Sequence, residues 1–190
     1  MRHTVWIAFA FILMLAPSLH GVSGAAPQDD TATEVWFGDQ LAVSYRAHVD
    51  DDWLIVAASH ESGWHTYSMD NVIRAREKSG RAEPETEIPT VITPLDGLTI
   101  EGAWRQSEPI DLSTPDIQWF TWGFEGTSFF AVRLAEANVP SSVQVDAQAC
   151  TESLCAWVDA LVVPVAPIGT GESGSVDPES LVAVATDVMP

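Results

Sequence analysis

The sequence predicts an all-β fold, an antiparallel β-sandwich. Roughly seven to nine short runs alternate apolar and polar residues, with turn residues about every eight to twelve positions, as in sandwich proteins. No stretch carries the apolar stripe of a long helix. The apolar fraction is 46% over 190 residues, which is enough to bury one core.

The chain begins with a segment typical of a secretory signal peptide, over residues 1–25. Arg2 precedes an apolar run from Val5 to Leu15, and small residues follow at Ser23-Gly24-Ala25. The run is short for a membrane span, so cleavage is favoured over an uncleaved anchor, which is the alternative. The mature chain is therefore expected to be periplasmic or secreted, and residues 26–34 are predicted to be a flexible leader.

Strands are predicted wherever the alternation is clear, and residues 35–168 are predicted to form the domain. Pro89 makes the fourth predicted strand an edge strand, since proline cannot donate a ladder hydrogen bond. Residues 169–190 begin Gly/Ser-rich and are predicted to be a flexible acidic tail that is disordered or loosely docked. The predicted strands cover residues 41–49, 53–58, 64–67, 88–93, 98–100, 103–104, 129–134, 143–149 and 157–165.

The long polar segment 68–87 holds Arg74, Arg76, Lys78 and Arg81. A loop of this length is more often functional or disordered than idle. A solvated loop is favoured over a docking site for an acidic partner. One or two helical turns are possible over Val72–Lys78.

Charge excludes several classes of ligand. The formal net charge is −19, and nucleic acid or anionic lipid would need Lys and Arg at each phosphate. The acidic turn Asp50-Asp51-Asp52 lacks the Gly and Glu of an EF-hand loop, which favours a solvated turn. His48, His60 and His65 have no spacing typical of a zinc site. No metal and no small-molecule cofactor are therefore predicted.

The two cysteines lie in a predicted hairpin, Gln144–Val165. Cys150 and Cys155 are separated by four residues, and continuing the alternation of Val143–Ala149 places Cys150 on the polar face. A disulfide closing so short a loop would stabilise the fold by only about 2 kcal/mol. A tight, partly exposed pair suits reversible exchange as well as a structural cystine. No Lys or Arg adjoins the pair and Glu152 lies within it, so neither thiol is predicted to be activated without a partner.

Four motifs in order give the chain a family resemblance. They are Gly63-Trp64-His65-Thr66-Tyr67, the stretch Gly97–Pro109, Phe124-Glu125-Gly126, and the hairpin sequence QACTESLC that ends at Cys155. Together they resemble the N-terminal periplasmic domain of the thiol:disulfide interchange protein DsbD, over about Val35 to Ile168. Two departures stand out: Ala156-Trp157-Val158 replaces a frequent Tyr-Pro-Pro, and the family's membrane-spanning and thioredoxin-like parts do not follow.

The resemblance implies an immunoglobulin-like sandwich with a redox-active Cys150/Cys155 pair. It implies that Cys155 is the sulfur joined to a partner and that Cys150 resolves the mixed disulfide. The implied partners are periplasmic thioredoxin-like proteins and a membrane electron-transfer protein. It also implies a cap loop, Gly123, Phe124, Glu125 and Gly126, in which the Phe124 ring covers the cystine. The alternatives are a core role for that ring, and a non-catalytic immunoglobulin-like binding module with a structural disulfide.

Overall fold

A computed structural model describes residues 32–138, 140–166 and 176–186. The signal peptide predicted for residues 1–25 lies outside these ranges. One helix is present, α1 (Asn71–Ser79), with 3-10 turns at Pro115–Ile117 and Pro178–Ser180. The strands are β1 (Thr33–Phe37), β2 (Gln40–Asp50), β3 (Trp53–His60), β4 (Thr66–Tyr67), β5 (Val91–Pro94), β6 (Leu98–Gln106), β7 (Ile110–Asp111), β8 (Trp122–Phe124), β9 (Thr127–Ala137), β10 (Ser141–Cys150), β11 (Cys155–Ala166) and β12 (Val182–Ala183).

The main sheet has the order β12-β6-β9-β3-β2-β11-β10-β5, with β1 also paired to β2. Its neighbours are antiparallel except β11 and β2, which pair in parallel at Val165 with Ala47. Buried side chains from both halves of this order form a single core. The sheet therefore folds over into two facing layers, and the predicted all-β antiparallel sandwich is confirmed.

Alternation determines which side chains enter the core. In β2, Val43, Tyr45, Ala47 and Val49 are buried, whereas the residues between them are half-buried. The inward side chains of β10 meet them from the opposite layer, with Val143 and Val145 fully buried. The period-2 pattern of the sequence is thus the pattern of burial. The predicted edge strand is confirmed too, because β5 ends the sheet.

A second sheet, in the order β4-β8-β7, covers one end of the sandwich. Asn71, the buried first residue of α1, holds it in place. Its Nδ2 donates to the Glu87 carbonyl at 2.9 Å and its Oδ1 accepts from the Trp122 N–H at 2.8 Å. The helix predicted within Val72–Lys78 is confirmed, and it ends at Gly80 with φ 68. Segment 68–87 is therefore tied down at both ends.

The structure extends beyond the predicted domain boundaries, residues 35 and 168, on both sides. Strand β1 begins at Thr33, inside the predicted leader. Residues 176–186, predicted to belong to a flexible tail, dock on β6. Arg105 Nη2 donates to the Leu181 carbonyl at 2.7 Å, and the Val184 N–H donates to the Trp104 carbonyl at 3.0 Å. Leu181 packs on Ile55 in a small separate cluster. An apolar side chain and a free sheet edge thus order a segment whose composition predicts flexibility.

Over the three ranges described, no helix is long and apolar enough to cross a membrane.

Candidate redox site

The cystine joins two residues that face each other across a hairpin. Cys150 ends β10, Cys155 begins β11, and the register pairs them directly. Their sulfurs are 2.07 Å apart and their Cα atoms 4.0 Å apart. The intervening turn is closed by a bond from the Thr151 N–H to the Leu154 carbonyl of 2.7 Å. The disulfide therefore caps the end of a formed hairpin.

The backbone of Cys150 is bonded to His65, on the side away from Cys155. Cys150 N–H donates to the His65 carbonyl at 2.9 Å, and His65 N–H donates to the Cys150 carbonyl at 2.9 Å. Both backbone groups of Cys150 thus point away from β11. The cysteine pair is consequently of the non-hydrogen-bonded type, in which cross-strand side chains approach most closely.

The two cysteines differ in exposure. Cys150 is 1% exposed, whereas Cys155 is half-buried. The prediction that Cys150 faces a polar, accessible side is therefore wrong. Gln148 lies on the same face of β10 as Cys150 and is also buried. The Ile88 N–H lies 3.4 Å from Gln148 Oε1, and His65 borders Cys150, so both positions of this face are covered by other segments. Of the two cysteines, only Cys155 is partly exposed.

His65 and Tyr67 form a polar pair beside the cystine. The His65 Nε2 lies 3.0 Å from the Tyr67 hydroxyl, and the rings meet edge to face with centroids 5.3 Å apart. Burial lowers the pKa of His65, and the nearby Glu125 carboxylate opposes that shift only in part. Burial raises the pKa of Tyr67, and Glu87 adds to the rise. Both side chains are therefore uncharged at neutral pH.

His60 connects the turn at Gly126 to Thr66 of strand β4. Its Nδ1 lies 2.7 Å from the Gly126 carbonyl, which can only accept, so Nδ1 carries the proton. Its Nε2 then accepts from the Thr66 hydroxyl at 2.8 Å. Burial lowers the pKa of His60, which keeps this neutral tautomer. Sequence reasoning weighed His60 only as a metal ligand and missed this role, because its partners are distant in sequence.

The predicted cap residue Phe124 lies in a strand and in the core. It pairs with Thr66 in the second sheet, is 3% exposed, and meets Phe130 edge to face at 5.4 Å between centroids. The cap loop that the resemblance implies is therefore wrong for Phe124, which ends strand β8. Strand β8 was missed because three residues show no alternation. Covering of the cystine by the ring stays a prediction.

The glycines beside Phe124 serve two different purposes. A Cβ on Gly123 would collide with the Thr66 carbonyl and would lie 2.9 Å from Leu112 Cδ1. Glycine at this position therefore permits close strand packing. Gly126 adopts φ +62 with open space around it, so it forms the turn from β8 to β9.

An open groove of about 770 Å³ lies between the cysteine turn and the second sheet. Its charged lining is acidic: Glu87, Glu125 and Glu152, with no Lys or Arg among the lining residues. Burial raises the pKa of Glu87. Negative charge beside the sulfurs disfavours a thiolate. The sequence-based expectation that these thiols are not activated by their own surroundings agrees with this lining.

Comparisons with known proteins give a likeness to solved structures. No protein-family model matches the chain, and no curated protein matches it. Among solved structures, the chain is similar to the crystal structure of the DsbD N-terminal domain of Neisseria meningitidis in its reduced form. Sequence identity is 16%, the TM-score is 0.41, and the match covers 65% of this chain and 80% of that one. This likeness is to the family that the four motifs resemble.

Proposed function

We propose that this chain is an exported thiol:disulfide interchange module. It receives electrons from a membrane electron-transfer protein and passes them to periplasmic thioredoxin-like proteins through the Cys150/Cys155 pair. Residues 35–168 form the domain that carries out this exchange. The observation that carries the proposal is the unequal pair itself, a cystine at a hairpin end with Cys155 half-buried and Cys150 1% exposed.

The exchange is written with Cys155 as the sulfur that meets the partner. In loading, a donor thiolate attacks Cys155 Sγ, the Cys150–Cys155 bond breaks, and Cys150 Sγ leaves with the electron pair and takes up a proton. A second donor thiolate then attacks the donor sulfur of this mixed disulfide, which forms the donor disulfide and expels Cys155 Sγ, so both cysteines are left reduced. In delivery, the Cys155 thiolate attacks one sulfur of the client disulfide, forms a mixed disulfide with it and expels the other client sulfur as a thiol. Cys150 then attacks Cys155 Sγ and frees the reduced client.

The surroundings of the pair support a carrier that reacts on contact with a protein. The groove beside the cysteine turn is lined by Glu87, Glu125 and Glu152 and by no Lys or Arg, so it supplies no cation that would favour a thiolate and speed reaction with small oxidants. A docked partner would exclude water and bring its own charges. In an oxidising compartment this selectivity retains electrons for the intended client.

A redox titration against glutathione or dithiothreitol tests the proposal. We expect a reversible two-electron transition with a midpoint above about −300 mV, since structural disulfides lie below that value. A midpoint well below it would contradict a carrier. The matched control is the Cys150→Ala/Cys155→Ala double variant, which should show no transition.

The alternative, a non-catalytic binding module, has one observation in its favour. Cys150 is as buried as a core residue, 1% exposed, as in structural cystines. That reading requires the cystine to resist reduction in the folded protein. The same titration separates the two functions, because a structural disulfide would remain oxidised until the fold is lost.

A further inference from the structure

An exposed apolar face adjoins Cys155. Trp157 is 65% exposed, and Leu154 is 45% exposed. The two residues flank Cys155 along the strand. Ile88, 42% exposed, lies across a shallow groove of about 240 Å³ that Trp157 also lines. We call Leu154, Trp157 and Ile88 the tryptophan patch.

Strand geometry places the patch beside the reactive sulfur. Cys155 and Trp157 are two residues apart in β11, so their side chains leave the same face of the sheet about 7 Å apart. Trp157 pairs with Gln148, just as Cys155 pairs with Cys150. A protein large enough to bond Cys155 would therefore cover Trp157.

Trp157 has no evident structural role within the described residues. Within the described ranges its indole has no hydrogen bond and no ring contact. Trp36, the other strongly exposed tryptophan at 53%, differs, since its Nε1 donates to Glu34 Oε2 at 3.1 Å. Tryptophan is enriched among the residues that dominate protein interfaces. An unused indole beside a reactive cysteine points to a partner.

The border of the patch limits the chemistry of that partner. Asp146 and Asp159 line the groove, and no Lys or Arg does. Asp146 accepts from the Gln144 amide at 2.7 Å and from the Ala160 N–H at 2.8 Å, which holds it as a carboxylate. Glu152 in the cysteine turn is exposed. Complementary charges on a partner are therefore positive.

We propose that the tryptophan patch is the docking surface for the thioredoxin-like partner, whose active cysteine is set in an apolar surface bordered by Lys or Arg. This inference rests on the proposed function, because it requires a protein thiol to reach Cys155. According to this inference, Trp157 determines which protein thiols react with Cys155. The reaction of the cystine with small thiols does not depend on Trp157.

The test compares a protein thiol with a small thiol on the oxidised chain. The protein probe is a thioredoxin that keeps only its N-terminal active-site cysteine, and the small probe is glutathione. Mixed-disulfide formation is followed by mass spectrometry for the wild type, Trp157→Ala and the control Trp36→Ala. We expect Trp157→Ala to slow the thioredoxin reaction about tenfold, as for an interface hot spot. Glutathione rates should not change, and Trp36→Ala should behave as the wild type.

A charge variant provides a second, independent measurement. Asp159→Lys should slow the thioredoxin reaction, and Asp159→Asn should slow it less. Added salt should slow the wild-type reaction with thioredoxin and should not slow that with glutathione, which is itself an anion. A wild-type rate that is insensitive to salt and to Asp159 would overturn the positive border assigned to the partner.

Each outcome of the rate comparison decides a separate point. Equal thioredoxin rates for Trp157→Ala and wild type would overturn the docking surface and leave the proposed function standing. Equal slowing with both thiols would also overturn it, because the variant would then act on the hairpin itself. A wild type that reacts with neither thiol would refute the proposed function. A dimer in sedimentation, dissociated by Trp157→Ala, would assign the patch to a second copy of the chain instead.

Discussion

Cys150 and His65 exchange both of their backbone hydrogen bonds, each 2.9 Å between nitrogen and oxygen. These bonds do not involve the sulfur, so they persist when the disulfide is reduced. The backbone of Cys150 is consequently held at His65, the residue before β4, by bonds that reduction of the disulfide does not remove. Cys155, at the start of β11, is the residue of the pair that is half-buried. A buried cysteine with a fixed backbone and a partly exposed cysteine suit two different steps of exchange.

The first prediction separates the two sulfurs. Cys150→Ala should leave Cys155 able to trap a thioredoxin-like protein as a stable mixed disulfide, because no second sulfur remains to release it. Cys155→Ala should trap little, since the Cys150 side chain is 1% exposed. The complexes are measured on a non-reducing gel and are removed by dithiothreitol. Equal trapping by the two variants would show that the assignment of Cys155 as the sulfur joined to the partner, and of Cys150 as the resolving sulfur, is wrong.

The second prediction concerns Phe124. This side chain is 3% exposed and packs on Phe130, so Phe124→Ala should destabilise the fold by about 3–5 kcal/mol, as a core Phe→Ala does. The measurement is chemical denaturation of the oxidised protein. Phe37→Ala is the matched control. Phe37 is 39% exposed, so this substitution should lower the free energy of unfolding by less than Phe124→Ala does.

A separate readout tests whether the Phe124 ring also covers the cystine. Phe124→Leu keeps most of the apolar volume and removes the flat ring, so the fold should survive. If the ring is a cap, the cystine in this variant should react faster with glutathione than in the wild type. An unchanged rate would leave Phe124 with a packing role alone.

Sequence reasoning succeeded where local pattern determines structure. The alternation in β2, with Val43 and Tyr45 inward, and in β10, with Val143 and Val145 inward, is the burial found in the fold. These strands are long enough for a period of two to be visible. The pairing of Cys150 with Cys155 follows from the short turn between them.

The site was harder to predict because its contacts are distant in sequence. Cys150 has the parity of a polar face, and it is buried because His65, 85 positions earlier in the chain, borders it. Strand β8 has three residues, too few to show a period. The docked segment around Leu181 owes its order to Arg105 on β6. Each of these features depends on tertiary neighbours that no local pattern encodes.

The third prediction concerns the buried carboxylate of Asp70. It accepts from Arg74 Nε at 2.9 Å and Gln106 Nε2 at 2.8 Å, and from the Ala185 N–H at 3.2 Å. Burial alone would raise the pKa of Asp70, but these hydrogen bonds outweigh it and lower the pKa below the ordinary value. The stabilisation is therefore complete at neutral pH and is lost as the pH falls below 3.8, the ordinary value.

Asp70→Ala should cost about 3 kcal/mol, the lower end of the range for breaking a buried ion pair, because the Arg74 side chain remains 25% exposed. It should also expose residues 181–186 to proteolysis, since one of the bonds to that segment is lost. Asp52→Ala is the control. Asp52 and Arg133 are 3.1 Å apart but 52% and 47% exposed, so its loss should cost under about 1 kcal/mol. Similar losses for both variants would show that the Asp70 network contributes little.

The last prediction concerns the pH dependence of stability that His60 produces. Both ring nitrogens are engaged, by the Gly126 carbonyl at 2.7 Å and the Thr66 hydroxyl at 2.8 Å. Burial lowers the pKa of folded His60 below its unfolded value of 6.5. As the pH falls through that value, the unfolded chain takes up a proton that the folded chain refuses, so stability falls. The contribution is complete above the unfolded pKa and is lost as the pH approaches the folded one.

His60→Gln removes the titrating group and retains an amide that can donate to the Gly126 carbonyl. The melting temperature of the wild type should therefore fall more steeply than that of His60→Gln between about pH 7 and about pH 5, the range in which histidine changes charge. Carboxylates contribute equally to both curves and cancel in the difference. Parallel curves would mean that His60 is protonated as readily in the fold as in the unfolded chain, in which case its neutral bonds do not hold Gly126 and Thr66 together.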